Sequence, residues 1–194
     1  MYIVLEGIDG VGKTTHITYL NQWLESKGYI VEKLVEPTDS EIGKLIRKQL
    51  SNPEIITDTN QQILSLLFAA DRLTLKKKIA NTKKSKERIL ISDRSFYSSI
   101  AYQNNESISK DWIYDINRYM PRPDLTIILD LDPKDAIRRC DGTDTFENIN
   151  FLKKTRNGYK KLLKYPNTIK IDATPSKSEV QEEIQKVIEE KLNI

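Results

Sequence analysis

An α/β fold built on a parallel sheet is predicted by two features of this 194-residue sequence. Short apolar runs alternate with helical patterns from one end to the other. Those runs are also almost continuously apolar, as parallel strands covered on both faces must be. The first is "YIVLE" (2–6), followed by "YIVEKLV" (29–35), "RILIS" (88–92), "LTIILDL" (125–131) and "TIKID" (168–172). Between the first two, Ile17, Leu20 and Leu24 keep helical spacing, and Gly28 suits the residue just past a helix end. Ile42, Leu45, Ile46 and Leu50 predict a second helix, and Ile63, Leu66, Leu67, Ala70 and Leu73 a longer third. "DPKD" (132–135) offers a capping aspartate, a first-turn proline and an acidic third residue, so a helix starts there. Residues 147–164 and 176–192 carry the last two helical patterns. No repeat, linker or low-complexity stretch interrupts the order, which predicts one domain over 1–194.

Composition excludes several function classes. Hydrophobic residues at 38% and charged residues at 30% describe an ordinary globular chain. A net charge of +3 is only mildly basic, and the densest basic run, "LKKKIANTKKSKER" (75–88), reads as a solvated face rather than a nucleic-acid patch. No apolar run approaches the roughly 20 residues of a membrane span. "MYIVLEG" lacks the charged leader of a signal peptide, and the one cysteine, Cys140, suits a reducing cytoplasm. His16, the single histidine, lies one helical turn after Lys13 and reads as an exposed or core residue rather than a catalytic one.

Chemistry enters at Gly7-Ile8-Asp9-Gly10-Val11-Gly12-Lys13-Thr14, which matches G-x-x-x-x-G-K-[ST] between a strand and a helix. The glycines let the backbone wrap an anion with its N–H groups at a helix N-terminus. Lys13 is expected to reach the β- and γ-phosphates of ATP, with Thr14 placing its hydroxyl on Mg²⁺ and Thr15 following in the helix. The fold expected is therefore the three-layer P-loop NTPase fold, with a five-stranded parallel sheet. GTPases, mechanical ATPases and small-molecule kinases all use this loop. The chain lacks a guanine-reading Asn-Lys-x-Asp and a switch-type Asp-x-x-Gly, and its strand 88–92 ends instead in Asp93-Arg94. At a carboxyl edge where ligands bind, Asp93 suits Mg²⁺ or its water, and the arginine fork suits a second phosphate.

"EGIDGVGKTT", "EPT", "FAADR", "DRSFYSSIAYQ" and "DPKDAIRR" occur in an order that resembles thymidylate kinases almost end to end. The resemblance implies transfer of the ATP γ-phosphoryl group to dTMP, a short lid at about 138–147, and a homodimer to which Leu64, Leu67 and their neighbours on the helix from 58 to 80 contribute. Carried over by position, it implies that Phe68 stacks on thymine and that Arg72 meets the O4 edge. It places Arg94 on the dTMP phosphate with Asp93 beside the metal, and Asp9 near the sugar 3′-hydroxyl. Ser99 and Gln103 fall at the far base edge, Tyr102 under C2′, and Glu36 and Pro37 along the acceptor site. Asp172 and Ala173 fall near adenine. The loop offers no charge at Gly10 or Val11, so the catalytic arginine is expected from the lid, with Arg139 preferred over its neighbour Arg138. Three positions depart from the family: Thr145 within "DTFE", Val35 before Glu-Pro, and "PTDS" (37–40). Arg47, Lys153 and Arg156 are the candidates to compensate, with Arg47 and Arg156 read first as solvated helix residues. Two other readings compete: a kinase for another nucleotide or deoxynucleoside (dUMP, UMP or CMP), or a P-loop ATPase or switch acting through a protein partner.

Overall fold

Each apolar run forms a strand: β1 (Tyr2–Glu6), β2 (Ile30–Val35), β3 (Arg88–Asp93), β4 (Leu125–Asp130) and β5 (Thr168–Asp172). The structure, a computed structural model, describes residues 1–52, 57–103, 107–139 and 149–193. All four strand pairings are parallel, in the order β2-β3-β1-β4-β5. The helices are α1 (Lys13–Ser26), α2 (Glu41–Leu50), α3 (Asp58–Lys84), α4 (Phe96–Gln103), α5 (Lys110–Ile116), α6 (Pro133–Arg138), α7 (Ile149–Lys161) and α8 (Lys177–Leu192). β1 is buried at every residue, and β3 and β4 nearly so. The expectation of burial on both faces fails at the two edge strands, where Ile30 and Val35 of β2 are 49% and 58% exposed.

Local chemistry accounts for most helix ends. Asp132 caps α6 by accepting the Lys134 N–H, with Pro133 in the first turn. Ser176 and Glu179 form a reciprocal capping box on α8. α3 runs well beyond the apolar pattern at 63–73, because Thr57 caps its start and its polar second half is anchored by ion pairs. There Lys78 meets Glu32 and Lys83 meets Asp124, so part of the basic run is neutralised within the chain. Sequence pattern did not predict α4. Every residue of it except Tyr102 is buried, so it has no polar face to set a helical period.

The core lies between the sheet and its flanking helices. Ile17, Leu20 and Leu24 of α1 and Val180, Ile184 and Ile188 of α8 pack with Ile3, Leu5, Ile127 and Leu129 of the sheet. α7 lies very close to α4: a Cβ at Gly158 would sit 2.7 Å from the Ala101 carbonyl oxygen. Leu64 corrects one expectation. It is 3% exposed and packs on Ile46, so its side chain offers no surface to a partner, while Leu67 beside it is half-buried. Ile63, Leu66 and Leu73 are the exposed large apolar residues of α3.

Candidate active site

Strand register puts the candidate groups on one edge. Leu5 of β1 and Val35 of β2 both pair with Asp93 of β3, so the chain leaves three neighbouring strands at Glu6, Glu36 and Arg94. The turn after β1 wraps tightly, with Gly10 and Gly12 at φ 78° and 99°, and Gly12 leads directly into α1. Side chains rarely adopt these angles, so glycine there is a backbone requirement. Ile8 and Val11 of the loop point into the core.

Lys13 is buried, and its Nζ donates to the carbonyls of Gly7 at 3.2 Å and Ile8 at 3.0 Å. Burial, reinforced by the Arg94 charge, pulls its pKa down to about 8. A third Nζ hydrogen is left for an anion. The Thr14 hydroxyl lies 3.3 Å from Asp93 Oδ2, while Asp93 Oδ1 is buried with no partner among the described residues. A hydroxyl beside a half-satisfied carboxylate is a fitting donor set for a hard cation such as Mg²⁺.

Arg94 has the left-handed φ of 78°, an uncommon conformation for an arginine. Its backbone N–H donates to the Leu5 carbonyl, and its own carbonyl accepts from the Ser92 hydroxyl at 2.7 Å. The guanidinium is thereby turned across the mouth of the loop. NH2 donates to Asp9 at 2.5 Å and to the Tyr102 hydroxyl at 3.1 Å. NH1 meets the Gly7 carbonyl and the hydroxyls of Ser98 and Tyr159. Tyr102 also donates to Asp9 at 2.9 Å. Burial alone would raise the Asp9 carboxyl, but the Arg94 and Lys13 charges and these hydrogen bonds outweigh it and hold the group below its usual range.

Arg72 and Phe68 lie one turn apart on α3, with the guanidinium carbon 5.3 Å from the ring centre. Arg72 donates from Nε to Glu36 at 2.5 Å, from NH1 to Ser99 and Asn117, and from NH2 to the Ser95 carbonyl. Four of an arginine's five N–H donors are thus engaged inside the protein. Its neighbour Asp71 accepts from the Thr38 N–H and from the hydroxyls of Thr38 and Ser40. Consecutive residues of α3 therefore fix both the 38–40 turn and the floor of the site.

Two cavities meet here. One of about 760 Å³ is lined by residues 9–16 of the loop and α1 and by Asp93, Arg139, Ala173 and Lys177. Another of about 240 Å³ is lined by Pro37, Phe68, Arg72, Ser99, Tyr102 and Gln103. Asp9, Glu36 and Arg94 line both. The larger is of nucleotide size and anionophilic at its base, and the smaller is more apolar. Both side-chain amide atoms of Gln103 are buried with no partner among the described residues.

The remaining candidates separate. Arg139 donates to the Ala173 carbonyl at 3.4 Å on the wall of the larger cavity, whereas Arg138 pairs with Asp135 and lines neither cavity. Asp172 is exposed and accepts the Thr174 N–H. Arg47 is exposed on α2, as a solvated helix residue is, and also donates to the Pro37 and Thr38 carbonyls, whereas Arg156 is half-buried and grips Asp130 and Asp132. Thr145 and the rest of "DTFE", with Cys140 and most of the lid, lie outside the described residues. His16 is buried, as a core reading anticipates, and its ring also reaches the wall of the larger cavity. Sequence reasoning missed Glu6, Ser98 and Tyr159. Tyr159 sits in an amphipathic helix with no motif around it, and only the carboxylate ending an otherwise apolar strand hinted at Glu6.

Comparison with known proteins agrees with this geometry. The family model described as thymidylate kinase matches residues 5–184. A probable thymidylate kinase of Methanosphaera stadtmanae is 61% identical, with 97% of each chain covered. That of Methanobrevibacter smithii is 46% identical, covering 97% of this chain and 94% of its own. The solved thymidylate kinase of Candida albicans superimposes with a TM-score of 0.79 at 27% identity, over 99% of this chain and 92% of that one.

Proposed function

Because this chain belongs to the thymidylate kinase family, and so is an ATP-dependent nucleotide kinase, we propose that it moves the γ-phosphoryl group of ATP onto dTMP to give dTDP. One observation carries the assignment of sites: two cavities, one floored by the phosphate loop and one by Phe68 and Arg72, open into each other at Asp9, Glu36 and Arg94. ATP occupies the larger, dTMP the smaller, and their phosphates meet at the shared residues.

In this arrangement the loop amides and Lys13 hold the β- and γ-phosphates, and Arg94 holds the acceptor phosphate in line. Transfer needs positioning and positive charge more than a covalent partner, and an ionised acceptor phosphate needs no strong base. Thr14 and Asp93 would hold Mg²⁺, which would supply neutralising charge to the phosphates. Arg139, already on the donor wall, is the lid arginine. Arg139→Ala is expected to lower turnover by about tenfold or more while Arg138→Ala stays near normal, measured by coupled nucleotide assay. Thymine lies against Phe68, with its O4 toward Arg72 and its imide toward the unpartnered Gln103 amide, which can donate and accept at once. We place the protein in the cytoplasm as a homodimer. Supporting the dimer are Ile63, Leu66 and Leu73 on the outer face of α3, at 45%, 49% and 40% exposure.

A panel of dTMP, dUMP, UMP and CMP with ATP tests the reading. Preference for dTMP supports it, preference for UMP or CMP makes the chain a kinase for another monophosphate, and ATP loss without a phosphorylated nucleotide would indicate an ATPase. Tyr102→Leu is expected to raise the use of the ribose analogue of dTMP relative to dTMP itself by about tenfold, if the ring blocks a 2′-hydroxyl. An unchanged ratio would take that role from Tyr102.

A further inference from the structure

Behind Arg94 lies a carboxylate to which the transfer chemistry gives no task. Glu6, the last residue of β1, is 0% exposed. Oε2 accepts from the Ser98 hydroxyl at 2.6 Å and the Tyr159 hydroxyl at 2.9 Å, and Oε1 accepts from Ser95 at 2.7 Å. The same two hydroxyl oxygens, of Ser98 and Tyr159, lie 3.2 and 3.0 Å from Arg94 NH1. They also lie 2.9 Å from each other, so their protons have competing destinations. A hydroxyl has one proton to give. Burial pushes the Glu6 carboxyl up, and the Arg94 charge and the three hydroxyl donors oppose that and favour its ionised form. Hydrogen bonds to an ionised acceptor are roughly twice as strong as those between neutral groups, so in that form both protons go to the carboxylate. What each oxygen then turns toward NH1 is a lone pair.

We propose that Glu6 is a positioning residue for acceptor binding: by drawing the protons of Ser98 and Tyr159 to itself, it makes both hydroxyls acceptors for Arg94 NH1 and so pins the guanidinium from behind, at the mouth the two cavities share. The proposal rests on reading Arg94 as the acceptor-phosphate clamp. Glu6 does not touch nucleotide. It acts through two hydroxyls on different helices, α4 and α7, and replacing its charge scrambles their proton directions without removing any atom of the clamp. A glutamine keeps an acceptor at the Oε2 place but carries no charge, so it holds the two protons less firmly; they turn more readily toward each other or toward NH1, and the seat of the guanidinium loosens.

Glu6→Gln tests this in the full-length protein, alone and combined with Arg94→Lys. Alone it is expected to raise the KM for dTMP by about tenfold, the ATP KM staying within about twofold and kcat falling less than the dTMP KM rises. In the Arg94→Lys background the same change is expected to add nothing measurable, because the fork it orients is gone. Equal losses for both nucleotides, or a further tenfold loss on top of Arg94→Lys, would reduce Glu6 to general structural support and overturn the proposal. A silent Glu6→Gln beside a damaged Arg94→Lys likewise removes only the role of Glu6. An Arg94→Lys protein with an unchanged dTMP KM removes the clamp itself. Should Glu6→Gln unfold, Ser98→Ala takes out one of the two oriented hydroxyls. It is expected to give the same split between nucleotides at about threefold, and a dTMP KM equal to the parent's overturns the proposal there too.

Discussion

Lys13→Met is expected to lower turnover by about three orders of magnitude while the melting temperature holds or rises. The two halves of that outcome have one cause. Lys13 is desolvated beside Arg94, and its pKa of about 8 shows that the folded protein tolerates its charge poorly. Methionine fills about the same volume without that cost, which offsets the loss of the Nζ bonds to the Gly7 and Ile8 carbonyls. The lost quantity is the charge that meets the transferred phosphoryl group. Steady-state kinetics beside a thermal melt check both halves, and normal turnover would remove the phosphate-loop mechanism. A pH dependence follows. Bound phosphates favour charged Lys13, so ATP affinity is flat below about pH 8 and declines above it, as a neutral lysine must first take up a proton. The substituted protein is expected to lack that decline.

Arg94→Ala is expected to cost dTMP and spare ATP. The kcat/KM for dTMP falls on the order of 10²–10³-fold, with the ATP KM within a few-fold. Because the guanidinium also satisfies Asp9, Tyr102, Ser98 and Tyr159, the melting temperature falls as well, unlike that of the lysine variant. Titrating each nucleotide at saturating levels of the other separates the two. Loss confined to ATP would contradict the acceptor role.

Sequence pattern was most informative where one residue type has one use. The glycines and Lys13 of the loop, the apolar strands and the capped helices other than α5 were legible, since spacing alone implies their physics. α4 was not legible as a helix, because burial all round erases the amphipathic signal, although its motif pointed to the site. Arg72 was legible only in part. Resemblance implied a base contact, but four of its donors are tied to Glu36, Ser99, Asn117 and Ser95, so it is as much a structural member as a reader of thymine. Breaking such a buried pair costs about 3–5 kcal/mol, and a substitution at Arg72 would mix stability with specificity. Arg156 misled in the opposite direction. A charged residue on a helical pattern looked solvated, yet it holds strand-end aspartates that only the fold brings within reach.

The tight seat of Gly158 against Ala101 has a bearing on how acceptor preference can drift. One turn of α7 carries Arg156, locked to the end of β4, and Tyr159, which touches the arginine over the acceptor cavity. With a neighbouring carbonyl 2.7 Å from where a side chain would begin, position 158 works as a shim of fixed thickness. A thicker shim would push α7 off α4 and tilt Tyr159, so the grip on the monophosphate can be retuned from the rear of the site.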